Sequence, residues 1–368
     1  MKHKYTKKFK SHIFSVTITT LFLVMIASLA YWYFSLSTPK LPSPSLKSLA
    51  AEHDIALGIH TSFDRLSDKP YTSIITSQFS FITIDGEANW NYIHPSSTEY
   101  NYTKINKLIT FAKVNNMPVQ IHHLIWGEQL FLPNWLKNGN YNSQQLLSII
   151  HSYINNVVGH LKGKVVVWSV VNEVFTRSQH RYGLQDWWAN HIKDGIGYVD
   201  DSFIWAHQAD PKTQLILNDF DNETENSVSN AEYNYIKAAK ARGVPIDGIG
   251  MQMHIDASNP PSTAAVLKNM QRFAAIGVPT YITEFDINLN TVKGSSAYKN
   301  QLEANITYNI VRACIESKSC FSFDEFGLTD KESLLKTITH TNSHSYLFTS
   351  RFVPKTSYFA FRNALLQP

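Results

Sequence analysis

Cysteine is almost missing from this chain. Its 368 residues hold only Cys314 and Cys320, which excludes both a disulfide-built scaffold and a four-sulfur metal site. The His-Glu-x-x-His pattern of zinc hydrolases is absent, as are a Walker-type phosphate loop and a Gly-x-Gly-x-x-Gly turn after the first β-like run, so nucleotide folds lose their usual entry points. Charge is sparse at 17% against 43% hydrophobic residues, a balance that suits a folded core. Acidic residues are missing entirely from positions 1–47, which carry seven lysines; the net charge of +4 therefore leaves −3 for the remainder. A mildly acidic folded part argues against a nucleic-acid partner.

That basic excess organises the N-terminus. Residues 1–12 form a lysine-rich tail, and residues 13–36 are uncharged and mostly apolar, ending in Tyr31, Trp32, Tyr33 and Phe34. About 20 apolar residues span a bilayer, and positive charge on the leading side predicts a cytoplasmic N-terminus with the rest of the chain outside. A cleaved signal peptide is the rival reading, with Ser28 and Ala30 as the small residues before a cut; either one exports the folded domain. Residues 37–48 have the Ser/Pro composition of a spacer, and 49–368 read as a single domain, expected to be a monomer. Outside the cytoplasm, Cys314 and Cys320 can be bridged or remain two buried thiols. His122 and His123 are adjacent on a β-like run, so strand alternation predicts opposite faces and no shared metal.

What is plentiful is rhythm. Short apolar runs at 55–60, 80–84, 118–126, 164–171, 214–218, 247–253, 279–283 and 321–326 alternate with helical patterns such as Ile105, Leu108, Ile109 and Ala112, or Leu302, Ile306, Ile310 and Cys314. Several runs lack polar alternation, as parallel strands covered on both faces do. Eight such units over about 320 residues predict an α/β fold, a (β/α)8 TIM barrel.

In barrels of this kind chemistry gathers at the C-terminal ends of the strands. Those ends read His60, Asp85, His122, Asn172–Glu173, Asn218–Asp219, His254, Glu284 and Asp324–Glu325. Glu directly after an apolar strand is a poor helix cap but a good catalyst aimed into the barrel mouth. Two carboxyl groups on opposite walls are what glycosidic cleavage needs: one protonates the leaving oxygen while the other faces the anomeric carbon.

These residues resemble glycoside hydrolase family 10. The segment 168–175 (WSVVNEVF) resembles the family's acid/base motif and 281–287 (YITEFDI) its nucleophile motif. The segments 246–255 (IDGIGMQMHI), 217–221 (LNDFD), 122–129 (HHLIWGEQ) and 326–330 (FGLTD) are similar to four further family strand ends. The resemblance covers about residues 49–362 and implies a retaining hydrolase of β-1,4-xylan working without a cofactor. It implies Glu173 as acid/base and Glu284 as nucleophile, with Asn172, His254 and Asp286 in support. Trp90, His122, Trp126, Gln129, Asn218, Gln252 and Phe326 would line the sugar sites. Cys314 and Cys320 match a cysteine pair found in many members.

The pattern departs from the family on the non-reducing side. The motif after strand two reads Asp85, Gly86, Glu87, Ala88, Asn89, Trp90, without the family's sugar-holding Asn and Lys. Gly127 replaces a histidine, and Phe326 and Leu334 stand for two tryptophans. Another β-glycan or a short oligosaccharide is therefore an alternative substrate, and a catalytically silent glycan-binding barrel is an alternative function.

Overall fold

Eight parallel strands close into a barrel, and each grows from one of the apolar runs. They are β1 (Ala56–His60), β2 (Phe81–Ile84), β3 (Val119–Trp126), β4 (Val167–Asn172), β5 (Gln214–Asp219), β6 (Gly248–Met251), β7 (Thr280–Asn288) and β8 (Cys320–Glu325). Neighbours pair in chain order. β1 also pairs with β8, and β6 with β7 through Ile249 opposite Thr280, which completes the ring. A short strand His254–Asp256 extends the sheet beside the end of β7. In this computed structural model residues 41–332 and 346–367 are described, together with Met25. The expected anchor 13–36, apart from Met25, and Leu334 lie outside the described residues. Among the described residues no helix is long and apolar enough to cross a membrane.

The strands are buried on both faces, all four residues of β2 for instance, which is why they read as continuous apolar runs. Helices cover the outside. Helix Ser143–Leu161 starts in a reciprocal capping box between Asn142 and Gln145 and buries a stripe including Leu146, Ile150, Ile154 and Leu161. Each such side chain contributes roughly 1.5–3 kcal/mol when removed from water. Helix Ser296–Ser317 packs on the last helix, Thr356–Leu366, and a Cys314–Cys320 disulfide ties its end to the start of β8.

One boundary needs correction. Composition predicts a spacer up to residue 48, yet the folded unit begins at Pro42. Ser45 caps helix Leu46–Ala51, and Leu46 and Leu49 are buried. A Ser/Pro stretch reads as linker by composition, but here its serine is a helix N-cap.

Candidate active site

The strand ends that carry the acidic residues are also where the barrel is least regular. Register slips between His122 and Ile125 on β3, between Ser169 and Val171 on β4, and between Ile282 and Phe285 on β7. Such irregularities re-aim side chains at barrel rims. Glu173 follows β4 with φ +60°, in the left-handed region, a conformation that costs a non-glycine residue about 1–2 kcal/mol. The turn is held by tertiary bonds. Glu173 N donates to Asn218 O (2.8 Å), and Asp219 caps the following helix by accepting from Phe175 N (2.8 Å) and Thr176 N (3.1 Å). Met253, also left-handed, turns the chain between Gln252 and His254.

These turns bring Glu173 and Glu284 onto one hydrogen-bonded network. Gln252 Nε2 donates to Glu173 Oε1 (3.2 Å) and lies 3.3 Å from Asn172 Oδ1. Asn218 Nδ2 donates to the same Asn172 oxygen (2.8 Å) and to Glu284 Oε1 (3.0 Å). Thr283 Oγ1 fixes the Asn218 amide by donating to its oxygen at 2.7 Å. Glu284 takes two further contacts, from His122 Nε2 (3.2 Å) and His254 Nε2 (3.3 Å), and His254 Nδ1 donates to Asp286 (2.9 Å). Glu173 Oε2 accepts from Trp126 Nε1 (2.7 Å) and from Arg177 Nε (2.8 Å). Both carboxylates are buried, 8% and 4% exposed, so each charge must be met by protein donors.

The two imidazoles on Glu284 differ in charge. Burial, then the neighbouring His123 and His60, push the pKa of His122 well below the ordinary value, so it is a neutral donor whose Nδ1 takes the Ser169 hydroxyl at 3.1 Å. Burial also opposes charge on His254, but Asp286 and Glu284 outweigh it and raise its pKa well above 6.5. His254 is thus an imidazolium bracketed by two carboxylates. Burial raises the pKa of Glu284, and His254 draws it back down. Beyond β2, burial and then Glu284 push the pKa of Asp85 well up, and burial does the same to Asp324 against the pull of the Thr83 hydroxyl, so charge is disfavoured on this side of the pocket.

Two cavities flank the pair. One of about 600 Å³ is lined by His254, Tyr182, Asp221, Glu223 and Asp256. The other, about 280 Å³, is lined by His60, Asp85, Gly86, Phe326 and an Arg65–Glu332 ion pair. Phe326 sets its ring edge-on to both His60 and His254, with centroids 4.7 and 5.1 Å apart.

Several sequence expectations move. Trp90 is not a sugar-site residue: it is 2% exposed, stacks on Tyr153 at 3.7 Å and spends its Nε1 on Leu124 O. Gln129 is exposed in the turn after β3, and none of its hydrogen bonds among the described residues reaches Glu173 or Glu284. His122 and His123 do not point to opposite faces. The register of β3 slips from His122 on, and the two ring centroids lie 4.9 Å apart. With Asp85 they bring ligand-type atoms within 4.8 Å of one another, but both His122 nitrogens are already engaged, by Ser169 and Glu284. Gly127 marks a substitution by another chain segment. A Cβ there would meet the Asp186 carboxylate at 2.5 Å, and buried Asp186 is held by Ala189 N and Tyr198 Oη. Sequence reading missed Arg177, Glu128, Ser169 and Thr283. Arg177 carried a legible signal, an opposite charge four residues after Glu173; the others carried none.

With this geometry the similarities to known proteins have a place to land. The profile of glycosyl hydrolase family 10 matches residues 45–364. Endo-1,4-beta-xylanase B of Thermotoga neapolitana is 34% identical over 324 residues, covering 87% of this chain and 91% of that protein. Among solved structures, xylanase 10B from Thermotoga petrophila RKU-1, in complex with xylobiose, superposes with a TM-score of 0.81 at 34% identity, covering 89% of this chain and 98% of that one. Native xylanase 10B from Thermotoga maritima gives 0.80, also at 34% identity, covering 87% and 98%. By its matched length, its barrel and its paired glutamates, this chain belongs to glycoside hydrolase family 10.

Proposed function

We propose that the protein is an endo-acting β-1,4-xylanase that works by double displacement, with Glu284 attacking the anomeric carbon and Glu173 protonating the leaving oxygen. The observation that carries this reading is the single amide network, Gln252–Asn172–Asn218, that ties both buried carboxylates to one pocket. His254 and His122 keep one oxygen each of Glu284 fixed, which suits a nucleophile that must not rotate. After attack the Glu284 charge is gone, and Glu173 then takes a proton from the incoming water. The xylobiose complex of the Thermotoga petrophila relative supports a xylan-type substrate. The lysine-led apolar segment 13–36 and the Cys314–Cys320 bridge support action outside the cytoplasm, with the domain tethered or released.

A second reading keeps the mechanism and changes the glycan. It is favoured by two features: Gly86, in the pocket beyond β2, has nothing within 4 Å of its would-be Cβ, and just after β3 the Asp186 carboxylate stands where a Cβ at Gly127 would go. Reducing-end release from xylan, β-glucan and mannan separates the two, and proton NMR of the first product reports its anomer. Xylan cleavage with initial β-product is expected; initial α-product would overturn double displacement, and release from mannan or glucan alone would overturn xylan.

A further inference from the structure

Arg177 is the one cation in contact with Glu173 among the described residues, and the family reading gives it no task. It lies one helical turn beyond Glu173 and is 4% exposed. Its Nε and Nη2 reach Glu173 Oε2 at 2.8 and 2.7 Å, and Nη2 also meets Glu128 Oε2 at 3.0 Å. Nη1 donates to Gln185 O (3.3 Å), and the guanidinium lies 5.4 Å from the centroid of the Trp126 ring, whose own Nε1 donates to the same Glu173 oxygen. An exposed pair at this spacing would contribute little. This one is buried and sits on a reacting carboxylate.

The donors are distributed unequally. Among the described residues, three N–H groups converge on Oε2, whereas Oε1 receives only Gln252. A proton on Glu173 therefore belongs on Oε1, and Oε1 is the oxygen that can offer it to a leaving group. Charged donors on Oε2 favour the anion, whereas the first chemical step needs the acid. Glu128 opposes this pull by sharing the guanidinium, so Glu173 meets a partly neutralised cation. The other titratable groups facing Glu173 are Glu284 on β7, Asp219 at the end of β5 and Asp85 beyond β2, all carboxyls.

We propose that Arg177 is a positioning residue that fixes Oε2 of Glu173 and sets how readily Oε1 keeps its proton, with Glu128 as the counterweight that limits Arg177's pull. The proposal rests on the reading of Glu173 as the acid/base. It gives paired variants opposite signs. Arg177→Met leaves Glu128 as a nearby anion, so the proton is held to higher pH. Glu128→Gln frees Arg177 to act on Glu173 alone, so the proton is lost at lower pH. Each displacement should be about one pH unit, the lower end of what an adjacent opposite charge does to a carboxyl group.

The test is the alkaline limb of kcat/KM against pH on the glycan that the wild-type enzyme cleaves fastest, for wild type, R177M, E128Q and the double variant. R177M should extend the limb upward and E128Q pull it downward, with the double variant between them. Arg177→Lys, which keeps the cation but loses the fork, should displace the limb less than R177M, and thermal unfolding of every variant serves as the folding control. A purely structural role would lower activity in every variant with the limb unmoved, and that result, or displacement of both single variants in the same direction, overturns the proposal. Carbon-13 NMR titration of the glutamate carboxyls, with Glu173 assigned through Glu173→Gln, reads the same proton without turnover. Opposite displacements there support the proposal even in an enzyme inactive on every glycan, an outcome that would sink the functional reading alone.

Discussion

Glu284 and Glu173 hang on one chain of amides but live in different surroundings. Glu284 is held from β3, β5 and the turn after β6, by His122, Asn218 and His254, all of them on strand-end segments that match the family. Glu173 shares Gln252 and Trp126 with that framework, but its strongest contacts come from Arg177 and, through it, Glu128. Gly127 and Asp186 belong to this second neighbourhood, where Trp187 N donates to Gly127 O at 3.0 Å. The comparison teaches that Glu284 is held by side chains at strand ends, whereas Glu173 takes much of its support from the segments that follow β3 and β4.

The sharpest way to break the comparison is to delete each carboxylate. Glu284→Ala should lower kcat by roughly 10⁵-fold, the scale on which losing a covalent nucleophile acts, and azide should restore product of inverted configuration. A fall of less than about tenfold would remove Glu284 from the chemistry. Glu173→Gln should cost about 10²- to 10⁴-fold on natural glycan and far less on an aryl glycoside whose leaving group needs no proton. Equal losses on both substrates would contradict its role as acid.

Smaller effects sharpen the difference between the two walls. Gly127→Ala pushes a methyl group into Asp186 and should destabilise the fold by about 1–3 kcal/mol, read by thermal unfolding. Adding Asp186→Ala should recover part of that loss, and no recovery would locate the clash elsewhere. On the Glu284 side, the raised pKa of His254 links it to pH. A folded value above the ordinary 6.5 means that the imidazolium contributes stability in full below about pH 6.5 and loses it as pH rises through the folded value. Asp286→Asn removes the larger of its two anionic partners, so this alkaline loss should begin at lower pH in the variant. Unfolding midpoints from pH 6 to 9 measure it. Because 31% of the His254 side chain is exposed, water damps the effect, the smallest of the four.

The readable and unreadable parts of this molecule divide by range. All eight strands follow apolar runs marked in the sequence, and Glu173, Glu284, Asn172, Asn218, Gln252, His254 and Asp286 lie together as their motifs imply. Trp90 could not be sorted, because a ring in a core and a ring in a cleft look alike until neighbours such as Tyr153 are known. His122 and His123 were misread because alternation holds only while the strand stays regular. Asp186 at Gly127 was invisible, since a glycine says that space is needed and not what fills it.

By itself, the sequence pointed to the barrel, because strand periodicity and strand-end polarity are local properties written residue by residue, and its resemblance to a family singled out Glu173 and Glu284. Tertiary structure alone decided which donors each glutamate receives, which imidazole on Glu284 is charged, and that Arg177 is shared with Glu128. Those outcomes depend on burial and on distances between segments far apart in the chain, and a charge in a pocket is set by the sum of what surrounds it.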